Sequence, residues 1–261
     1  MSTSDATSAL VFDRVNFAYG ERPVLERLSF SIAAGETVAL LGPSGCGKTT
    51  VLNLLAGFER PTGGHALAAG RPITGPGPDR GMVFQSYALF DWMTVEDNIA
   101  FSLRCAGRPV AEQRRVAREA AAMVGLQDVT GAYPYQLSGG MRQRCSLARV
   151  LAARPEVMLM DEPFAAVDIH TRERLQEEVL RIQAQAGITV VFVTHDIDEA
   201  VFLGQRIFLF EGPGGTGATR IREFTVDLPH PRASAVNRIH PRFLALRNEI
   251  YQAMHTLEAT A

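Results

Sequence analysis

Partly alternating apolar residues occupy two segments near the N-terminus, residues 9–19 and 24–32. Such alternation is typical of strands with one buried face, and a turn at residues 20–23 separates the two. Beyond Gly35, the segment 37–41 is almost wholly apolar. A strand that is covered on both faces has this pattern. The chain is therefore predicted to begin with two paired strands, followed by a central strand.

Two further apolar runs, residues 156–160 and 189–193, lie in the second half of the chain. The polar segment between them, 171–186, has a helical pattern. Because strand, helix and strand follow one another here, we expect a right-handed parallel crossover. Residues 207–210 and 221–226 flank a glycine-rich turn and predict a hairpin.

The middle of the chain has a helical pattern. Pro109 precedes apolar residues at helical spacing over 111–124, and Gly125 ends this segment. Ser138 opens a second helix, so residues 87–154 are expected to form a helical lobe. The shorter predicted elements are a helix over 49–56 closed by Gly57, a strand and a loop within 60–80, a strand at 82–84 and a helical tail over 241–257.

The composition is that of an ordinary globular protein. Of the 261 residues, 46% are apolar and 21% are charged, which excludes a disordered or fibrous chain. The 26 basic and 28 acidic residues give a formal charge of −2, so nucleic acid is not expected as a partner. Three cysteines are too few for a disulfide framework and favour a reducing compartment.

The sequence predicts no membrane anchor of its own. Its longest apolar runs, such as residues 188–193, are far shorter than the roughly 20 residues that a spanning helix needs. Residues 1–9 lack the basic cluster and the apolar stretch of a signal peptide. We therefore expect any role at a membrane to depend on a partner.

The segment Gly42-Pro-Ser-Gly-Cys-Gly-Lys48-Thr49 matches the phosphate-loop pattern at every fixed position. It lies between a predicted buried strand and a predicted helix, which is the context that the motif requires. Glycines let successive N–H groups turn toward phosphate oxygens, and the helix adds the positive end of its dipole. Lys48 can reach the β- and γ-phosphates of a nucleotide, and the Thr49 hydroxyl can bind Mg²⁺.

Cys46, within this loop, has two interpretations. It is a small residue that the loop tolerates, which we favour, or it is a thiol whose pKa is lowered by the helix N-terminus. In the second case the thiol is open to alkylation or oxidation. The sequence leaves both interpretations open.

The apolar run at 156–160 ends in two carboxylates, Asp161 and Glu162. Asp161, at the end of the strand, can bind Mg²⁺ through water. Glu162 can polarise a water molecule for in-line attack on the γ-phosphate, which is worth roughly 10²–10⁴-fold in rate. The alternative is that the pair only solvates the end of a strand, and the phosphate loop earlier in the chain makes this the weaker hypothesis.

The stretch Leu137-Ser138-Gly139-Gly140 lies shortly before these carboxylates, with Ser138 placed 24 residues before Glu162. Together with the two motifs above, it resembles the signature of the nucleotide-binding subunit of ATP-binding cassette (ABC) transporters. The resemblance extends from about Leu10 to Leu228. It implies an α/β fold with a P-loop NTPase core (a mostly parallel sheet), an N-terminal antiparallel β subdomain and an inserted α-helical subdomain. It also implies an ATPase that binds ATP and Mg²⁺.

The same resemblance implies a single ABC ATPase domain over residues 1–261. Its catalytic core comprises about 9–86 and 155–230, its helical subdomain 87–154, and its C-terminal helical tail 231–261. The extra regulatory domain of sugar-importer ATPases is expected to be absent.

Four more residues match motifs of the family. Tyr19 matches the aromatic residue that stacks on adenine, and Gln85 matches the glutamine that contacts Mg²⁺ and joins the core to the helical lobe. Asp168 lies in the loop that crosses the dimer interface, and His195, 33 residues after Glu162, matches the histidine that contacts the γ-phosphate. The histidines without such context are expected at the surface, and they are His65, His170, His230, His240 and His255.

The resemblance thus implies three overlapping sets of site residues. The catalytic set is Glu162, His195, Gln85 and Lys48. The ATP-binding set is Tyr19, Gly42, Pro43, Ser44, Gly45, Cys46, Gly47, Lys48, Thr49, Thr50, Gln85, Ser138, Gly139, Gly140 and Asp168. The Mg²⁺ set is Thr49, Gln85 and Asp161.

Ser138, Gly139 and Gly140 open a helix and so form a second anion site with free N–H groups. The chain already has a complete phosphate loop, so this second site needs another role. In the family, a head-to-tail dimer forms in which the signature of one copy closes over the ATP held by the other. ATP then joins the subunits, and hydrolysis releases them.

Two positions depart from the commonest family pattern. Met141 stands where glutamine is frequent, and Ala165 stands where serine or glycine is frequent. Neither change removes a catalytic group. The stretch Leu-Ser-Gly-Gly-Met-Arg-Gln-Arg is itself similar to the nitrate, taurine and sulfonate import subfamily, and so are residues 85–99 and 227–232.

We therefore expect the ATP-hydrolysing subunit of a bacterial importer for a small anion such as nitrate, taurine or an alkanesulfonate, located at the cytoplasmic face of the inner membrane. The expected partners are a second copy of the chain, transmembrane permease subunits bound through the helical subdomain and, indirectly, a substrate-binding protein. Tyr87, Leu89, Phe90 and Trp92 are candidates to line a groove for a permease helix and also to pack the lobe. The alternatives are a soluble ABC ATPase without a transporter and an exporter ATPase.

Overall fold

The computed structural model describes residues 8–165, 167–213, 219–229 and 231–258. Within these ranges the chain forms ten strands and eight α-helices. The strands are β1 (Ser8–Tyr19), β2 (Arg22–Ala33), β3 (Thr37–Leu41), β4 (Gly63–Ala68), β5 (Arg71–Pro72), β6 (Arg80–Val83), β7 (Val157–Asp161), β8 (Thr189–Val193), β9 (Arg206–Pro213) and β10 (Thr219–Thr225). The helices are α1 (Lys48–Ala56), α2 (Val95–Cys105), α3 (Val110–Met123), α4 (Gly139–Ala152), α5 (Ile169–Ala186), α6 (Ile197–Leu203), α7 (Ser234–Asn237) and α8 (Pro241–Glu258).

A six-stranded sheet forms the centre of the fold, in the order β10-β9-β3-β8-β7-β6. The five strands from β9 to β6 are parallel, and β10 pairs with β9 in the antiparallel direction as the predicted hairpin. The strands β3 and β8 have the predicted bounds, and the β7–α5–β8 unit is the predicted parallel crossover. The carboxyl ends of these parallel strands therefore lie at one edge of the sheet.

The apolar runs of the central strands are explained by two hydrophobic cores, one on each face of the sheet. In β3, Ala39 and Leu41 face a core that also contains residues of α2 to α6 and α8. Val38 and Leu40 face a second core, shared with α1, β1 and β2. All four side chains are fully buried. Since consecutive side chains of a strand point to opposite faces, both faces need apolar residues and the alternation disappears.

A four-stranded antiparallel sheet, in the order β2-β1-β4-β5, covers one of these cores. In β1, Phe12 pairs with Phe30 of β2 and with Ala66 of β4. The Phe30 ring lies 5.3 Å from the ring of Phe208 in β9, so the two sheets are in contact. Residues 60–80, predicted to hold one strand, contain both β4 and β5.

The segment between β6 and β7 is largely helical, as predicted, and α2, α3 and α4 pack on one another. The sequence alone predicts neither α2 nor α6 as a separate helix. Yet α2 has a cap signal, because the Thr94 hydroxyl accepts a hydrogen bond from the backbone N–H of Asp97 at 3.1 Å. Two acidic residues, Glu96 and Asp97, also lie in its first turn, where the helix dipole favours negative charge.

The C-terminal helix α8 packs against α6 and buries Phe243 and Ile250. In the described ranges, none of the helices is both long enough and apolar enough to cross a lipid bilayer.

Gly57 ends α1 in the left-handed region, with φ of 80°, and the backbone of Gly75 lies against it. A Cβ at Gly57 would lie 2.2 Å from the Gly75 carbonyl oxygen. We expect Gly57→Ala to lower the free energy of unfolding by about 1–2 kcal/mol for backbone strain, with a further cost of roughly 1–3 kcal/mol for overpacking. Urea unfolding curves measure both.

The matched control is Gly70→Ala. Gly70 has φ of 72°, and no other atom lies within 4 Å of the position of its Cβ, so only the strain is expected there. Equal losses in the two variants would show that the close approach to Gly75 does not limit residue 57.

Candidate active site

The loop between β3 and α1 has the conformation of a phosphate cradle. Gly42, Gly45 and Gly47 have φ values of 148°, 81° and 100°, which L side chains rarely adopt. A Cβ on Gly42 would lie 2.8 Å from the Phe210 carbonyl oxygen, so this turn also lacks space for a side chain. Gly47 caps α1 without a side-chain acceptor, which leaves the first N–H groups of the helix for an anion. The loop therefore fits the phosphates of a nucleotide.

Lys48 is buried within this loop, with 8% of its surface exposed. Its Nζ donates hydrogen bonds to the carbonyl oxygens of Gly42 at 2.8 Å and of Pro43 at 2.7 Å. Lys48 is also the only lysine of the sequence, since the other 25 basic residues are arginines. Its ammonium is a compact charge with three donors, so it can keep loop contacts while facing a phosphate.

Cys46 is buried, and its sulfur lies 3.5 Å from Lys48 Nζ. Burial raises the pKa of its thiol above the ordinary value, and the nearby charge of Lys48 opposes this only in part. The interpretation in which the helix N-terminus lowers this pKa is therefore wrong. The structure favours the other interpretation, in which Cys46 is a small residue tolerated by the loop.

The other predicted residues of the loop and of α1 differ in exposure. Ser44, Gly45 and Thr49 are exposed, and Pro43 is half-buried. The Thr50 side chain, in α1, is buried.

Asp161 ends β7 close to the start of α1. Its Oδ1 lies 3.5 Å from the Thr49 hydroxyl oxygen. Burial and the neighbouring charge of Glu162 raise the pKa of Asp161, while Thr49 and Lys48 act in the opposite direction. A carboxylate and a hydroxyl are hard oxygen donors of the kind that Mg²⁺ prefers, and a cation beside them would favour the ionised carboxylate. This pair therefore fits a magnesium ion.

Glu162 contacts the segments that follow β6 and β8. Gln85 Nε2 donates a hydrogen bond to Glu162 Oε2 at 3.1 Å, and His195 Nδ1 lies 3.5 Å from Oε1. The backbone of Glu162 has φ of 44°, which is uncommon for a residue with a side chain, and its N–H donates to the Val193 carbonyl oxygen at 3.1 Å. Glu162, Gln85 and His195, predicted to act together, thus lie together.

The backbone after Gln85 is held by a residue that sequence analysis did not identify. Tyr87 and Ala88 both have positive φ. Arg149 of α4 donates to the carbonyl oxygens of these two residues, at 3.2 and 2.5 Å. The only sequence signal would have been the position of Arg149 within α4, four residues after the buried Cys145. Arg149 thereby connects the signature helix to the segment that carries Gln85.

The signature residues lie at the start of α4. The Ser138 hydroxyl accepts a hydrogen bond from the N–H of Met141 at 3.3 Å. A Cβ on Gly140 would lie 2.4 Å from Thr171 Cγ2, so α4 and α5 are in close contact there. Thr171 also donates its N–H to Asp168 Oδ1 at 3.0 Å, and its hydrogen bonding lowers the pKa of Asp168. The signature and the Asp168 loop are thus neighbours.

The contacts described above connect the predicted residues in two groups within one chain. The first contains the phosphate loop, Asp161, Glu162, Gln85 and His195. The second contains the signature and Asp168. Among the hydrogen bonds of the described residues, none joins Ser138, Gly139 or Gly140 to the phosphate loop.

Tyr19 lies at the end of β1 with 49% of its surface exposed, and its ring contacts the edge of Phe17 at 4.8 Å. Its ring is accessible to a ligand, and its stacking on adenine stays a prediction. Of the histidines expected at the surface, His65, His170 and His255 are exposed. His240 is half-buried, and its Nδ1 accepts the N–H of Arg242. His230 lies outside the described residues.

A family model for ABC transporters matches residues 25–165, which is more than half of the chain and includes the phosphate loop, the signature, Asp161 and Glu162. The chain therefore belongs to the ABC transporter family. It is an ATP-binding cassette, an ATPase with the P-loop NTPase fold that the sequence predicts.

The similarity to individual proteins agrees with this assignment. The taurine import ATP-binding protein TauB of Chromobacterium violaceum is 44% identical over 246 residues, which are 93% of this chain and 94% of that protein. The nitrate import ATP-binding protein NrtD of Synechococcus elongatus is 43% identical over 251 residues, 93% of this chain and 90% of that protein. A dimeric post-hydrolysis structure of the ATP-binding cassette MJ0796, bound to ADP and Pi, is 31% identical with a TM-score of 0.71, and the match covers 84% of this chain and 99% of that one.

We expect Lys48→Ala to weaken ATP binding roughly 10- to 100-fold, because a hydrogen bond to a charged group contributes about 1.5–3 kcal/mol. Isothermal titration with ATP measures this loss. Arg60→Ala is the control, since Arg60 is exposed just beyond α1 and its removal changes the net charge by the same amount. Unchanged affinity in Lys48→Ala would contradict the phosphate contact.

Proposed function

We propose that this chain is the ATPase subunit of a bacterial importer for a small anion such as nitrate, taurine or an alkanesulfonate. The observation that carries this proposal is the similarity to proteins named for taurine and nitrate import, at 44% and 43% identity over 93% of the chain. The similarity therefore includes the C-terminal tail as well as the catalytic motifs. A soluble ABC ATPase and an exporter ATPase are the alternatives that the experiments below exclude or support.

In this proposal, Lys48 and the N–H groups of the loop before α1 bind the phosphates of ATP. Thr49, Asp161 and Gln85 hold Mg²⁺, which offsets negative charge on the phosphates when it is bound. Tyr19 stacks on the adenine. The fit of the loop, and the 3.5 Å approach of the Thr49 and Asp161 oxygens, support this arrangement.

Glu162 is the proposed general base. Its carboxylate lies between the Gln85 amide and the His195 imidazole. In the proposed step it accepts a proton from the water molecule whose oxygen attacks the γ-phosphorus. The amide orients the carboxylate, and the imidazole approaches the γ-phosphate from the other side. In-line attack requires the water oxygen, next to Glu162, to approach the γ-phosphorus opposite the β–γ bridging oxygen, whose bond to phosphorus breaks as ADP leaves.

The proposed active form is a head-to-tail dimer, in which Ser138, Gly139 and Gly140 of one copy close over the ATP of the other. No hydrogen bond among the described residues joins the signature to the phosphate loop, which supports this proposal because the signature N–H groups then remain for the ATP of a second copy. Asp168, next to the signature, lies at the same interface. The related cassette MJ0796 is dimeric with ADP and Pi bound.

The proposed permease site is a cavity of about 770 Å³ between the sheet and the helical segment. Of the four predicted groove residues, Phe90 lines it, together with Phe84 and Phe101. Trp92 is 73% exposed beside Phe90, with ring centroids 5.4 Å apart. Apolar walls with an exposed aromatic at the rim suit a short amphipathic helix from a membrane subunit. Such docking would hold the chain at the cytoplasmic face of the inner membrane, as a peripheral subunit.

The division into a core of 9–86 and 155–230, a helical lobe of 87–154 and a tail of 231–261 also stays part of this proposal. Arg149 then holds the first residues of the lobe, directly after the core segment that ends at residue 86, because it donates to the carbonyl oxygens of Tyr87 and Ala88. Arg149 also lines the cavity.

We expect Phe90→Ala combined with Trp92→Ala to spare ATP binding and to weaken assembly with the membrane subunits, since it removes two apolar anchors of the docking surface. Gel filtration of the detergent-solubilised complex measures assembly. Tyr135→Ala is the control, because Tyr135 is also an aromatic of the helical segment with 72% exposure but does not line the cavity. An intact complex with the double variant would count against this surface.

We expect Glu162→Gln to retain ATP binding, to slow hydrolysis roughly 10²–10⁴-fold and to accumulate as an ATP-bound dimer, because the base is lost and the phosphate contacts are kept. Size-exclusion chromatography with and without Mg²⁺-ATP, and the ATPase rate, measure both effects. Glu156→Gln is the control, as Glu156 is exposed at the opposite end of β7. A normal rate in Glu162→Gln would show that another group is the base.

Import itself is tested by uptake of labelled nitrate and labelled taurine into cells that lack the gene, with and without the wild-type chain. Uptake that depends on the chain and on Glu162 supports an importer and identifies its substrate. Absence of the chain from membrane fractions would instead favour the soluble ATPase, and substrate efflux would favour the exporter.

A further inference from the structure

The loop that carries His195 is held by its two neighbours. The His195 side chain is 69% exposed, and it lies 3.5 Å from Glu162. Thr194 is buried, and its hydroxyl accepts the N–H of Asp196 at 3.0 Å. The same hydroxyl donates to Glu199 Oε2 at 2.6 Å. The backbone on both sides of His195 is therefore fixed through Thr194 to the carboxylate of Glu199.

Glu199 is itself held from a second element. It lies in α6 with 5% of its surface exposed, and its Oε1 accepts a hydrogen bond from Gln176 Nε2 of α5 at 3.2 Å. Arg172 Nε lies 3.8 Å from the same oxygen. Burial raises the pKa of Glu199. Because a buried carboxylate is costly without partners, these contacts determine where Glu199 can lie.

Gln176 continues this series of contacts to the C-terminal tail. Its side chain is fully buried, and its Oε1 accepts a hydrogen bond from Arg238 Nη2 at 2.6 Å. The amide thus accepts from the guanidinium on one side and donates to the Glu199 carboxylate on the other. This arrangement fixes the orientation of the amide, because its oxygen and its nitrogen cannot exchange without losing both bonds.

The tail that supplies Arg238 is firmly attached to α5 and α6. The Arg238 guanidinium packs 4.8 Å from the ring centroid of Phe202. The N–H of Ser234 donates to Glu177 Oε1 at 2.7 Å. Arg232 donates to the carbonyl oxygens of Phe202 and Gly204 at 2.8 and 2.7 Å, at the C-terminal end of α6.

We propose that Arg238, acting through Gln176 and Glu199, is a positioning residue for His195. This gives the C-terminal tail a role in catalysis, although it lies outside the motifs that bind nucleotide. The side chains of Arg238, Gln176, Glu199 and Thr194 form the connection. Its hydrogen bonds run from the tail to α5, from α5 to α6 and from α6 to the loop after β8. The inference rests on the proposed role of His195, so its test includes that residue.

The first experiment measures steady-state ATP hydrolysis by full-length Arg238→Ala. We expect kcat to fall roughly three- to tenfold while KM for ATP stays unchanged, because the groups that bind nucleotide are untouched and a group acting in the transition state is displaced. Arg238→Lys keeps the charge and one donor, and it is expected to recover part of the loss. Wild-type kcat in Arg238→Ala would overturn the inference.

Arg242→Ala is the matched control. Arg242 is also an arginine of the tail, but its partner is Asp227, and both side chains are mostly exposed. We expect this variant to keep the wild-type kcat. An equal loss in both variants would show that the tail acts only by general stabilisation, and this would overturn the specific path.

Gln176→Met tests the path independently of the tail. It keeps the approximate volume of the buried side chain and removes both hydrogen bonds, so the same selective loss of kcat is expected. A normal kcat in a folded Gln176→Met protein would contradict the proposed path from Arg238 through Gln176 and Glu199.

The double variant His195→Ala with Arg238→Ala separates the two proposals. If Arg238 acts through His195, the second substitution adds no further loss in the His195→Ala background. Losses that multiply would overturn the path. If His195→Ala alone kept the wild-type kcat, the role of His195 itself would be wrong; if His195→Ala lost activity and Arg238→Ala did not, only the inference about the tail would fail.

Discussion

The central sheet is covered on both faces, and the position of the whole site depends on this burial. Because β3, β7 and β8 are parallel and lie side by side, the segments that follow them must leave the sheet at the same edge. Lys48 and Thr49 come after β3, Asp161 ends β7 and is followed by Glu162, and His195 comes after β8. A slip of one residue in any of these strands would exchange its two sets of buried side chains and misplace the polar residue at its end. The packing of the two cores therefore also fixes the positions of the polar residues in the site.

Glu162 shows how this constraint reaches the chemistry. Its left-handed backbone is unfavourable by itself, and it is held there by the hydrogen bond from its N–H to β8. The side chain then lies between groups that come from the ends of β6 and β8. Gln85 is followed by backbone that Arg149 of α4 holds, and the loop of His195 is tied to α6. The position of the carboxylate at the centre of the site therefore depends on several elements that are far apart in sequence.

Much of the fold and of the site could be predicted from the sequence, because the signals are local. The strands β3 and β8 have apolar runs that end sharply, and the phosphate loop has fixed glycines. The helix α2 is not predicted as a separate element, although Thr94 and Asp97 form its cap and Val95, Ile99 and Leu103 have helical spacing. The hydrogen-bonded path through Gln176 and Glu199 could not be predicted. Glu199 lies 23 residues from Gln176 and Arg238 lies 62 residues from it, and no periodicity links them. The state of Cys46 depends on burial, which a sequence motif does not report.

The chain has one lysine, and that residue is buried in the phosphate loop. The other 25 residues among its lysines and arginines carry guanidiniums, which do not react with acylating reagents under ordinary conditions. Any reagent or enzyme that modifies a lysine side chain of this protein therefore acts at the residue that is proposed to bind the phosphates. In the proposed site, bound nucleotide would shield that single ε-amine, and its acetylation would remove the charge that binds the phosphates.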